Sequence, residues 1–159
     1  MKLKGIKPIN KCLNKFLAEW GLTAVMGTDF AYLYKRNVVV WTPVVSVKND
    51  TDFQNFFESL GCIVKCDVFL YSILHEIGHS QTFDDVSEAD YAYSLDRKSQ
   101  EISNDEYFRL PDELAATMWA VDFLNNNVDK VRVLWEELQP LFYDFYQKNG
   151  VLEFDEGAE

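Results

Sequence analysis

The sequence predicts an α+β fold in which a small antiparallel sheet near the N-terminus is followed by helices, one of them buried. Three observations predict it. Apolar residues recur at helical spacing between Ile9 and Trp20, and aromatic and β-branched residues crowd the stretch from Thr23 to Val47. A nearly continuous apolar set, Val68, Phe69, Ile73, Leu74 and Ile77, then marks a helix with no polar face wide enough to be exposed. The chain has 159 residues, 48% apolar and 26% charged, which suits one globular domain over 1–159. That composition excludes a disordered chain, a collagen-like repeat and a disulfide-stapled miniprotein.

The first helix sets Ile9, Leu13, Phe16, Leu17 and Trp20 on one face, and Gly21 stops it. Thr23–Met26 reads as a strand broken by Gly27 and Thr28. Phe30–Tyr34 and Val38–Trp41 form a hairpin around Lys35-Arg36-Asn37, Thr42-Pro43 ends it, and Val44–Val47 is a further extended piece. Thr51 or Asp52 suits the cap of a helix that reaches Leu60 before Gly61. The buried helix starts near Asp67 and runs through His79. Residues 80–110, rich in Asp, Glu and Ser, read as a long surface excursion with a short helix around Ser87–Leu95. Pro111 opens another helix, with Asp112 and Glu113 at its positive end, and Asn125-Asn126-Asn127 closes it. A last helix spans Val128–Lys148 with a bend expected at Pro140, and residues 151–159 read as a frayed acidic tail.

Fifteen basic residues against 26 acidic ones give a net charge of −11, which disfavours nucleic acid as a partner. Lys2, Lys4, Lys7, Lys11 and Lys15 read as a solvated helix face. No run reaches the roughly 18 apolar residues of a membrane span, and the basic N-terminus has no apolar run after it, so neither a membrane nor a secretory route is expected. Cys12, Cys62 and Cys66 are an odd count and read as reduced, structural thiols, which gives a cytoplasmic expectation.

The chemistry sits in His75-Glu76-Ile77-Gly78-His79, which holds both histidines of the chain. On a helix, positions four apart differ by about 40° and about 6 Å, so both imidazoles reach one point beside it. That is the spacing for two nitrogens to hold Zn(2+) at about 2.0–2.1 Å. Glu76 can reach a water on that ion without being a ligand, and take its proton. A catalytic zinc site needs a third protein ligand, and no third histidine exists. Glu113, in the first turn of a later helix, is the leading choice from spacing, with Asp84, Asp85, Glu88 and Asp90 as competitors. Cys62 lies only 13 residues before His75, too near for the upstream cysteine of a peptide deformylase.

Leu110-Pro111-Asp112-Glu113-Leu114-Ala115-Ala116-Thr117-Met118-Trp119-Ala120 resembles the E-x-x-A-N-x-F-A segment of the ImmA/IrrE family of zinc metallopeptidases. In that family the segment follows H-E-x-G-H on a second helix. Glu113, Ala116 and Ala120 match it; Trp119 stands for Phe, and Thr117 for Asn. The resemblance implies a zincin-like, minimal gluzincin fold with the two helices packed together. It implies His75, His79 and Glu113 as zinc ligands, Glu76 as general base, and a narrow regulatory protein as substrate in a phage or mobile-element setting.

On this reading the chain is a metallopeptidase acting on a peptide or protein substrate. Tyr91, Tyr93 and Tyr107 are candidate donors to the oxyanion, and the 30–41 hairpin offers an edge for an extended peptide. The alternative is a regulatory or inhibitory binding module of the same fold, stabilised by zinc without turnover. The intact Glu76 speaks against it.

Overall fold

In the computed structural model, which describes residues 2–153, the chain is α+β, with a three-stranded mixed sheet and seven helices among the described residues. Helix α1 (Ile6–Leu17) leads through a 3-10 turn at Ala18–Trp20 into β1 (Thr23–Met26), β2 (Ala31–Leu33) and β3 (Val38–Trp41). There follow α2 (Val47–Ser59), α3 (Val68–Thr82), a 3-10 turn at Phe83–Asp85, α4 (Glu88–Lys98), α5 (Asn104–Phe108), α6 (Pro111–Asn126) and α7 (Val128–Asn149).

The sheet corrects the antiparallel expectation. Its order is β1-β3-β2, with β2 antiparallel to β3 but β1 parallel to it, Thr23 opposite Val38 and Met26 opposite Trp41. The chain leaves β1 beside the end of β3 and crosses to β2 on its far side. Gly27 makes that crossing possible: a Cβ there would lie 2.6 Å from Val40 Cγ1, and its N–H donates to the Trp41 carbonyl at 2.8 Å. The hairpin turns as expected, with Lys35 and Asn37 in the left-handed region at φ 70° and 53°. Because β3 is paired on both sides, Val38–Trp41 offers no edge to an added peptide strand.

The contacts divide the chain into two units: one runs to Ser46 and resumes at Asn127, and the other is Val47–Asn126. In the first, Ile9, Leu13 and Leu17 of α1, Val39 and Trp41 of β3, and Leu134, Leu138, Phe142 and Phe145 of α7 are buried. Polar side chains tie these pieces together: Trp41 Nε1 donates to Asn10 Oδ1 and the Ala24 N–H to Asn14 Oδ1, both at 2.7 Å. The five N-terminal lysines are exposed. Helix α7 continues through Pro140 as one element. Val45 bridges Glu153, and its N–H donates to the Leu152 carbonyl at 2.7 Å, so the first part of the expected tail is bonded. Residues 154–159 of that tail lie outside the described residues.

In the second unit α2 begins at Val47, ahead of the expected cap at Thr51 or Asp52, so Val47 is helical rather than extended. Thr51 sits inside the helix, its hydroxyl donating to the Val47 carbonyl at 2.8 Å. Asp67 caps α3, accepting from the Phe69 N–H at 2.9 Å, and the helix runs to Thr82. The expected surface excursion is largely helical. Ser87 accepts from the Asp90 N–H and Ser103 from the Glu106 N–H, each at 3.1 Å, and these caps start α4 and α5. Helices α3 and α6 pack as a pair with Gly78 against Ala116, and Ala116 and Ala120 of α6 are fully buried.

Candidate metal centre

The site is built where α3 and α6 come closest. Gly78 lies against the Ala116 backbone so tightly that any Cβ would run into the Ala116 carbonyl. Three residues before that contact on each helix, His75 of α3 meets Glu113 of α6, and His79, directly after Gly78, reaches the same carboxylate. His75 Nε2 lies 3.0 Å from Glu113 Oε1; His79 Nε2 lies 3.3 Å from Oε1 and 3.2 Å from Oε2. The carboxylate therefore stands between the two imidazoles. His75, Glu76 and Glu113 are buried, and the two imidazole centroids are 4.6 Å apart.

His75, Glu76 and His79 form a group able to hold a metal ion, their ligand atoms all within 4.8 Å of one another, and His79, Asp112 and Glu113 form a second, overlapping one. Tetrahedral ligands at about 2.0–2.1 Å from an ion stand about 3.3 Å apart. The 3.0–3.3 Å separations between the histidine nitrogens and Glu113 fit that size.

Thr117 adds a chemical argument for a cation. Its hydroxyl donates to the Glu113 carbonyl one turn back, at 3.0 Å, which leaves its oxygen to accept from His75 Nδ1–H at 2.9 Å. The proton on Nδ1 turns the Nε2 lone pair toward Glu113 Oε1. Two acceptors 3.0 Å apart need a cation between them, either a proton or a metal ion. Thr117 is fully buried. It stands where the resemblance has Asn, and it supports the histidine from that position.

Electrostatics follow the same geometry. Burial pushes the Glu76 carboxyl up from its ordinary value, against the opposing pull of His75 and His79. Burial acts the same way on Glu113, but hydrogen bonds and charge from His75 and His79 outweigh it and hold that carboxyl well below the usual range. Burial works to lower His79, yet the Glu113 hydrogen bond and charge raise it overall.

Lys98 of α4 had no signal in the sequence. Its Nζ donates to Asp112 Oδ2 and Glu113 Oε2, both at 2.8 Å, and lies 5.3 Å from the centre of the Tyr107 ring. Asp112, read from the sequence as a helix-end charge, is buried and shares this lysine. Of the three tyrosines, Tyr107 stands beside the centre, and burial followed by the Glu113 charge pushes its hydroxyl up to about 12. The Tyr91 hydroxyl donates to the Phe83 carbonyl at 3.2 Å, and Tyr93 is exposed.

The competing carboxylates Asp84, Asp85, Glu88 and Asp90 are exposed and belong to neither group. The Cys62 thiol donates to the Val64 carbonyl at 3.4 Å, away from both groups. All three cysteines are free, and burial raises Cys12 to about 11 and Cys66 to about 12, which keeps them as thiols. No helix of the described residues is long and apolar enough to cross a membrane. Comparisons with protein-family models, curated proteins and solved structures give no match to this chain.

Proposed function

We propose that the chain is a zinc-dependent peptide hydrolase of zincin-like fold, with His75, His79 and Glu113 as ligands and Glu76 as general base. The observation that carries this reading is the convergence of one carboxylate on two imidazole nitrogens at 3.0–3.3 Å, with Glu76 buried in the same group. Imidazole and carboxylate donors suit zinc. When bound, the ion supplies the Lewis acidity that makes water a nucleophile near neutral pH.

The protein's own residues do the rest. Thr117 holds the His75 ring through Nδ1, and α6 delivers Glu113 from its first turn. The Glu76 carboxylate takes the proton of the attacking water and hands it to the leaving amine nitrogen. Its burial, which disfavours the charged form, makes it a stronger proton acceptor than a solvated carboxylate. The resemblance of residues 110–120 to the ImmA/IrrE family supports a narrow regulatory protein as substrate, in a phage or mobile-element setting.

Metal content of the wild type and Glu113→Ala, purified without added metal or a histidine tag, tests the ligand set. About one zinc per chain in the wild type and strong loss in the variant are expected. Glu76→Gln then separates turnover from metal binding: metal is retained and hydrolysis is lost. If the biological effect survives that change with metal bound, the chain is a binding module and not a peptidase.

A further inference from the structure

Glu113 has two oxygens in different surroundings. Oε1 lies within 3.3 Å of both histidine nitrogens, whereas Oε2 lies 3.2 Å from His79 Nε2 and accepts from Lys98 Nζ at 2.8 Å. The lysine is itself fixed. Asp112, whose side chain is only 9% exposed, takes a second N–H at 2.8 Å, and the Tyr107 ring lies 5.3 Å away. We propose that Lys98 is a positioning residue of the metal centre: its ammonium ties down Glu113 Oε2, so that Oε1, the oxygen shared by both histidines, is the one offered to the ion, and Asp112 anchors the ammonium for that task. This rests on the metal-centre reading above.

Charge and cost both favour this role over a merely structural one. A buried ion pair adds little net stability, because desolvation offsets the attraction. Here one lysine is shared by two carboxylates. With Glu76 beside Asp112 and Glu113, three carboxyl groups stand against this one lysine. A carboxylate free to offer both oxygens takes up an extra ligand place, while a catalytic site keeps one open. Held through Oε2, Glu113 meets that requirement.

The experiment is cobalt titration of the full chain, followed by its visible spectrum, for wild type, Lys98→Met, Lys98→Arg and Asp112→Asn. Folding is checked by circular dichroism. Wild type and Lys98→Arg are expected to share one intense four-coordinate spectrum. Lys98→Met is expected to bind cobalt at least about tenfold more tightly, because a nearby positive charge is gone. Its spectrum is expected to move to the weaker bands of higher coordination. Asp112→Asn, which keeps the volume and loosens the anchor, shifts the spectrum in the same direction, so the proposal stays open to refutation even if the Met variant does not fold. Folded Lys98→Met and Asp112→Asn proteins with wild-type spectra and affinity would overturn the proposal and leave the metal centre standing. A wild type that takes up no cobalt would end both.

Discussion

Gly78 of α3 meets the backbone of Ala116 on α6 so closely that the pair has no room for a single additional carbon. This contact sets the spacing of the two helices that supply His75, His79 and Glu113. Gly78→Ala must therefore push α3 and α6 apart, at a cost of about 1–3 kcal/mol for overpacking. Urea unfolding is expected to show that loss, with weaker metal uptake beside it. An unchanged midpoint would mean that the helices can slide without strain.

Thr117 gives a subtler test. Thr117→Val keeps the shape and removes the acceptor of the His75 Nδ1 proton. Loss of such a ligand-supporting group typically lowers metal affinity by about 10–100-fold. Thr117→Ser, which restores the hydroxyl, is expected to recover most of that affinity. Zinc competition against a chromophoric chelator measures both.

Glu113 and His79 each make stability in the absence of metal depend on pH. Glu113 is held below its ordinary 4.5, so its contribution is present above that value and disappears as the pH falls through the folded value. His79 is raised above 6.5, so its contribution is complete below 6.5 and is lost as the pH rises through its folded value. In chelator, the melting temperature is expected to decline on the alkaline side of that point. With zinc added the alkaline decline disappears, because deprotonated imidazoles bind the ion better. A chelator curve that stays flat on the alkaline side of 6.5 would contradict the His79–Glu113 pairing.

A fourth expectation concerns the other unit. Asn10→Ala removes the oxygen to which the Trp41 indole N–H donates at 2.7 Å. Removing one partner of a buried hydrogen bond costs about 1–3 kcal/mol. Thermal unfolding is expected to show this with no change in metal content, since Asn10 and the candidate ligands belong to different units.

The metal-binding group was legible because four-residue spacing on a helix is a local property, and His75, Glu76 and His79 announce it within five positions. Glu113 was the leading third carboxylate from spacing, and the resemblance at residues 110–120 set it further above its competitors. Lys98 was not legible: its partners lie 14 and 15 residues away on another helix, and no local pattern links them. The sheet was misread because periodicity identifies strands but not their order, and the clue, a glycine directly after β1, looks like any turn residue. Helices α4 and α5 did carry a signal. Ser87 with Asp90, and Ser103 with Glu106, place a serine three residues ahead of an acid, the pattern of a helix start. The first of these agrees with the short helix expected around Ser87–Leu95, and the acidic composition of the stretch masked the second.

His79 and Glu113 stand 34 residues apart in the chain and 3.2–3.3 Å apart at their polar ends. An ion held between them is a cross-link that closes a loop containing both α4 and α5. Closing a loop of that length takes roughly 3–4 kcal/mol of entropy from the unfolded chain, on the account developed for disulfides. Metal would then serve this protein twice, as reagent and as clasp, and the first sign of its removal would be protease cleavage between Phe83 and Leu110.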